Sequence, residues 1–277
     1  MPTERELAHH WNDVGELPDR FRDKNPVLAK HKRAVYDALL YMSHCADGAG
    51  LVLKTDLFAE AFNEEEFVSM QTWTPRLVGV DISPHIAQGA RKRLTTNGTP
   101  LYGYVVCDVN YLPFRDGAFA GEISDSTLDH LPSSNAIKSA IGELGRVLAL
   151  GGRLLLTIDN PHNITFPPRR VIDLWMKLHL APYYIGYTLN RNEMRTALVQ
   201  AGLSLRFETA ILHYPHPDVF VRMAESLTRR IAFGRLNGLL LRIFGLMESL
   251  GDTRFRYLTG RYLAVAAFKE AHTDNSR

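Results

Sequence analysis

The chain has 277 residues, 45% of them hydrophobic, with a formal net charge of +2 and an isoelectric point near 8.5. That length buries a sizeable core and fits one domain carrying insertions, and the balanced charge argues against a dedicated nucleic-acid binder. Its two cysteines, Cys45 and Cys107, form no CxxC pair, and the eleven histidines show no metal-ligand spacing such as HExxH, so neither a disulfide framework nor a metal site is indicated.

Residues 1–30 are polar and carry Pro18 and Pro26, which predicts a short helix or two followed by a linker. There is no apolar core of signal-peptide type and no run of about 18 apolar residues, so the expected location is the cytoplasm. From Pro26 to about Ser43, Leu28, Val35, Leu39 and Met42 recur near helical spacing. Leu51, Val52 and Leu53 follow Gly48 and Gly50 as a first strand, apolar as strands buried on both faces are.

KTDLFAEAFNEEEF then reads as a loop and helix, and LVGVDIS, starting at Leu77, as the second strand. Ser83 is placed to cap the next helix, with Pro84 at its first position and Ile86, Ala90 and Leu94 as its inward stripe. A third strand over roughly Gly103 to Val109 leads into the turn-rich YLPFRDGAF, and a fourth covers Gly121 to Ser124. Ile137, Ile141, Leu144 and Leu148 follow helical periodicity, Gly151 and Gly152 provide a stop, and RLLLTID, residues 153–159, is the fifth strand.

Four prolines punctuate residues 161–189 around the apolar VIDLWMKLHL, which predicts an insertion over a crevice. Asn190 with Glu193 resembles a reciprocal helix cap, and Gly202 ends that helix before the strand LSLRFETAILHY. Helices over about 217–231 and 235–250 precede a last strand, RYLAVAAFK. Alternating strands and helices predict an α/β fold whose largely parallel sheet is covered on both faces, closed by an edge hairpin that has received an insertion.

Asp81, Asp108 and Asp125 close or closely follow three of these strands, and in an open parallel sheet the carboxyl ends of the strands border one ligand crevice. An acid at such a position can also cap the following helix or begin an ordinary turn. Asp129 and His130 follow the fourth strand, where a histidine with its ordinary pKa of about 6.5 can take a proton at neutral pH. Asp159, Asn160, His162 and Asn163 cluster after the fifth strand and suit either a hydroxyl-rich ligand or a turn nucleated by Asn and Pro. Between Pro217 and Tyr262, eight arginines stand against four acids beside an apolar helix face, a pattern fitting a packed helix, a peripheral membrane contact or a lid over an anionic substrate.

With this order of elements, the chain resembles the class I S-adenosylmethionine (SAM) dependent methyltransferases over roughly residues 30–215 and 261–269. VGVDIS resembles the family segment that holds the ribose hydroxyls of SAM, which puts Asp81 and Ile82 in that role; a carboxylate accepts two hydrogen bonds from a vicinal diol. VVCDVNYLPF is similar to the adenine segment, with Asp108, Val109 and Leu112 at the base. FAGEISDSTLDHL followed by ELGRVLALGGRLLLTID matches the fourth strand, helix and fifth strand, placing Asp125 and Ser126 near the cofactor and Asp129, His130 and Asp159 near the acceptor.

The resemblance implies a Rossmann-like seven-stranded sheet, mostly parallel with an antiparallel edge strand, preceded by a helical segment over residues 1–45 and interrupted by helical insertions at about 161–189 and 217–258. At the end of the first strand, however, Lys54 stands where the family carries an acid, and VLKTDLFAEAF has no glycine in the turn. Side chains there are expected to hold the backbone away from a ligand. Thr55 and Asp56 are expected to replace the glycine contacts, Asp56 pairing with the amine of SAM. The implied function is methyl transfer from SAM to a small-molecule acceptor of glycan, lipid-linked or natural-product type, with no metal and no nucleic-acid partner. The alternatives are a methyltransferase-like scaffold or regulatory partner without turnover, and an enzyme for another nucleotide-like ligand.

Overall fold

The computed structural model describes residues 4–16, 26–45, 50–62, 76–178, 184–213 and 233–270. Its sheet has seven strands: β1 (Val52–Thr55), β2 (Leu77–Asp81), β3 (Gly103–Val106), β4 (Phe119–Asp125), β5 (Leu148–Asp159), β6 (Leu203–Ile211) and β7 (Tyr262–Lys269), in the order β3-β2-β1-β4-β5-β7-β6. β1 pairs in parallel with both β2 and β4, so the strand order reverses there and opens a crevice above their carboxyl ends. β7 runs antiparallel between β5 and β6 and forms the edge pair with β6, the hairpin whose connection carries the insertion.

Helices α1 (Glu4–Glu16), α2 (Pro26–Ser43), α3 (Phe58–Phe62), α4 (Pro84–Thr96), α5 (Ser134–Val147), α6 (Arg169–Lys177), α7 (Arg191–Gln200), α8 (Phe233–Glu248) and α9 (Arg256–Thr259) complete the described elements. One face of the sheet packs on α2, α3, α4 and α8 through Leu39, Leu40, Leu57, Ile86 and the partly buried Phe244. The other packs on α5 and α7 through Ile137, Ile141, Leu144, Met194 and Leu198.

The sequence signals act locally as chemistry requires. Ser83 accepts the Ile86 amide at the start of α4, and Ser133 does the same for Ala136 at the start of α5. Asn190 and Glu193 form a reciprocal capping box at α7.

Three boundaries differ from the sequence reading. The inward stripe of α2 is Tyr36, Leu39 and Leu40, while Met42 is exposed. α5 ends at Val147, and Leu148 already belongs to β5, whose start pairs with Phe119; Gly151, at φ +75°, lies inside that strand rather than stopping the helix. β3 stops at Val106, because Asp108 folds the chain into a turn by accepting the Asn110 amide. The helix expected over 217–231 lies outside the described residues.

Candidate active site

The turn after β1 takes the shape that glycine usually provides, without glycine. Asp56 adopts φ +69°, and its Oδ1 accepts the Phe58 amide at 2.6 Å. Two of the side chains that follow, Leu57 and Glu60, are buried. Leu57 is fully buried, Phe58 packs edge-on against Phe62, and Glu60 lies beneath the turn, 3.0 Å from Lys54 Nζ. Lys54 also donates to the Asp56 carbonyl. Leu57 and Glu60 are thereby buried, while Phe58 and Ala59 are half-buried.

Burial opposes both charges of the Lys54–Glu60 pair. It pushes the Glu60 carboxyl up, whereas for Lys54 the attraction of Glu60 and Asp56 outweighs burial and the ammonium is held protonated. Lys54 thus neutralises a carboxylate under the turn instead of presenting a charge to the crevice. Thr55 is likewise interior: its hydroxyl bonds Ser124 Oγ at 3.0 Å and Thr127 Oγ1 at 2.8 Å, tying β1 to the end of β4.

Asp81 ends β2, buried, and bridges two loops: Oδ2 accepts the Leu57 amide at 2.9 Å and Oδ1 the Ser83 amide at 2.8 Å. Burial first, and then the negative charge of Asp56, push its carboxyl up to about 7. Ile82 follows it, half-buried. Across the switch point, Asp125 Oδ1 accepts Thr157 Oγ1 at 2.6 Å, and the Asp125 carboxyl also hydrogen bonds the hydroxyl of Tyr36 on α2; burial raises that carboxyl too. Nothing in the chain pattern singles out Tyr36, although its place three residues before Leu39 on a helix is a core-facing spacing.

The acids after β4 and β5 form a second group. Ser126, at φ +45°, donates to Asp129 Oδ2 at 2.7 Å, and the same oxygen accepts the Asp159 amide at 3.3 Å. Asp129 Oδ1 is buried with no hydrogen-bond partner, and burial raises that carboxyl to about 6. His130 Nδ1 lies 3.3 Å from the Tyr184 carbonyl. Burial lowers its pKa against the pull of Asp56 and Asp159, so the imidazole is neutral near pH 7.

The mouth of the crevice is crossed by α1, which packs on α4. Asn12 Oδ1 accepts the Ser83 hydroxyl at 2.7 Å, just beyond β2. The Trp11 ring meets His130 edge-on at 4.7 Å, just beyond β4, and His10 Nε2 accepts the Tyr184 amide at 3.0 Å. Gly186 seats the other wall: a Cβ there would come within 2.4 to 2.6 Å of the Asp129 and Leu131 carbonyl oxygens and the His130 carbonyl carbon. No pattern in the sequence marked His10, Trp11, Asn12 or Gly186, since their significance arises only from which loop each meets.

The other residues named from the sequence have these surroundings. Asp108 closes a turn with Asn110, and Val109 and Leu112 are buried in the core on the α5 side. Asn160 and Asn163 spend their side-chain amides on the carbonyls of Tyr257, Thr259 and Gly260, holding the loop after β5 to α9. His162 lines a separate open pocket with Asn190, Arg191 and Tyr257. Among the described residues, no group of three or more His, Cys, Asp or Glu side chains is arranged to hold a metal ion, and no helix is long and apolar enough to cross a membrane.

Residues 63–156 match the family model described as a methyltransferase domain. No curated protein matches the chain in sequence. Among solved structures, the chain is similar to geranyl diphosphate C-methyltransferase from Streptomyces coelicolor, determined with Mg2+, geranyl diphosphate and S-adenosyl-L-homocysteine, at 18% identity over 88% of this chain and 82% of that one, TM-score 0.55. It is also similar to the [4+2]-cyclase SpnF, at 16% identity over 98% of each chain, TM-score 0.63. A third likeness is to the methyltransferase-like chain of a Haloferax volcanii complex with the Trm112 methyltransferase activator, at 16% identity over 96% and 98%, TM-score 0.58. The strand order and the crevice at its switch point give this chain the fold of the class I, S-adenosylmethionine-dependent methyltransferases, and residues 63–156 match the methyltransferase-domain model.

Proposed function

We propose that the crevice binds SAM and that the protein methylates a small-molecule acceptor. The observation that carries this reading is the closure by α1, from Ser83 at one side of the crevice to His130 at the other. A mouth crossed by a helix suits a small acceptor better than a macromolecular surface. The crevice also fits the cofactor's charge: Asp56 repels both Asp81 and Asp125, and a sulfonium with an ammonium group relieves that repulsion.

In this reading Asp81 would hold the ribose hydroxyls with the lone pairs left over from its two amide bonds, and Asp56 would face the amine. SAM, when bound, supplies an activated methyl on a cationic sulfur, so the protein has mainly to align the acceptor and exclude water. His130 takes the proton where the nucleophile carries one. Its Nδ1 faces a carbonyl, which only accepts, so Nε2 is the nitrogen with the lone pair. A group-transfer assay with methyl-labelled SAM tests this: label should enter the small-molecule fraction of a cell extract. Label recovered only in protein or nucleic acid would overturn the acceptor class.

A second reading, a scaffold without turnover, is favoured by one observation: the Leu57 and Phe58 amides of the turn are already committed to Asp81 and Asp56. The activator complex of the Haloferax neighbour gives such a protein partner a precedent. Failure of the purified chain to bind SAM would favour it. The outer face of α8, with Leu239, Ile243 and Leu246 exposed beside Arg242, supports contact with an anionic acceptor or a membrane surface. Co-sedimentation with anionic but not zwitterionic vesicles is the test for the membrane.

A further inference from the structure

We propose that His10 is a positioning residue for His130, acting through the backbone of Tyr184 to hold the base in one tautomer while α1 is drawn over the crevice. The inference rests on the reading of His130 as the base, and its geometry is independent of any ligand. The N–H of Tyr184 points to His10 Nε2 at 3.0 Å, and the C=O of the same residue accepts His130 Nδ1 at 3.3 Å. An amide N–H only donates, so His10 Nε2 is unprotonated; a carbonyl only accepts, so His130 Nδ1 carries its proton. One backbone residue therefore fixes two imidazoles in the same Nδ1–H tautomer, His10 accepting through Nε2 and His130 donating through Nδ1.

Trp11 packs between them, 5.5 Å from the His10 ring and 4.7 Å from that of His130. The strap is itself braced. Arg169 donates to the carbonyls of Ile185 and Gly186, Gly186 abuts the backbone of the His130 turn, and the Tyr187 amide donates to the Leu131 carbonyl at 2.9 Å. His10 is faced by Asp13 from its own helix and by His130 across the gap; His130 is faced by His10, by Asp56 from the first turn and by Asp159 from β5. Burial lowers the pKa of both rings, outweighing the carboxylates. A proton added to His10 would set N–H against N–H at Tyr184 and place a cation beside His130. Acid thus releases the brace at His10, while His130 keeps its donor nitrogen.

The indole of Trp11 reports this state, because an imidazolium in contact with it quenches its fluorescence and a neutral imidazole does not. The full chain with Trp73→Phe and Trp175→Phe leaves Trp11 as the sole tryptophan of the three. In that background, emission is followed from pH 5 to 8 for His10, His10→Gln and His10→Phe. Glutamine keeps an acceptor for the Tyr184 amide and phenylalanine removes it. The brace predicts a quenching midpoint below the ordinary value of about 6.5 for the parent and His10→Gln, and a rise of about 0.5 unit or more in His10→Phe as His130 loosens. Equal midpoints in the two variants would overturn it. The titration uses no cofactor, acceptor or turnover, so its failure would leave the methyl-transfer reading standing, and absent SAM binding with an intact brace would do the reverse.

Discussion

Asp81 at the end of β2 accepts a 2.9 Å hydrogen bond from the Leu57 amide in the turn after β1, so the acid of the second strand secures the turn of the first. The turn lacks glycine, and this bond, with the left-handed Asp56, holds the shape in its place. The coupling makes cofactor affinity depend on pH. Burial and the Asp56 charge put the Asp81 carboxyl at about 7, and only its ionised form attracts a cation. SAM affinity should rise from pH 6 to 8 and fall toward about tenfold per unit below pH 7.

The same raised pKa acts oppositely on the free protein. The folded Asp81 holds its proton better than an unfolded chain with an ordinary pKa of about 3.9, so its contribution to stability is present at low pH and lost as pH rises toward 7. Thermal melts of Asp81→Asn should be flatter with pH than those of the parent between pH 4 and 7. A parallel pair of curves would contradict the assignment.

The Lys54–Glu60 pair is buried on both sides. Removing one partner, as in Lys54→Ala, leaves the other uncompensated and should cost about 3–5 kcal/mol in a denaturant melt. The double change Lys54→Met with Glu60→Leu should cost far less. A Lys54→Ala loss below about 1 kcal/mol would show the pair to be no more than a surface bridge.

Glu122 lies in the middle of β4, fully buried, with neither carboxylate oxygen hydrogen bonded. Burial raises its pKa well above the usual carboxylate range against the attraction of Lys269. The native state keeps this carboxyl protonated, so its ionisation in the unfolded chain favours unfolding increasingly above the ordinary pKa of about 4.3. Glu122→Met, flanked in the sheet by Leu53 and Leu154, should stabilise the protein by about 1–3 kcal/mol, with the gain growing from pH 5 to 8. Melts at both pH values check magnitude and sign.

Gly186 admits no side chain, because the nearest atoms to a Cβ belong to the backbone of the His130 turn. Gly186→Ala should displace that turn, costing about 1–3 kcal/mol of stability and, if His130 is the proposed base, a larger share of turnover than of SAM affinity. Equal losses in both would mark a general folding defect.

The strands and the main helices were legible because their signals are local: apolar runs for β2 and β5, capping serines for α4 and α5, an Asn–Glu box for α7. The acid at the end of β2 was legible for the same reason. Harder to read were relations between elements. The Lys54–Glu60 pair looked like a missing acid, because its partner is found only when α3 folds back under β1. Asn160 and Asn163 read as either a ligand cluster or a turn; their oxygens accept the turn amides of His162 and Thr165, while their amides reach the Gly260 carbonyl nearly a hundred residues on, which no local pattern shows. α1 was legible as a helix, yet its seat across the crevice depends on Ser83, His130 and Tyr184, which no periodicity links.

The most direct test of the account is titration calorimetry of the purified chain with SAM and with S-adenosylhomocysteine, beside Asp81→Ala. The account predicts binding by the parent, stronger for the cationic SAM at pH 8 than at pH 6, and its loss in the variant. No binding by the parent, or equal binding by Asp81→Ala, would contradict it.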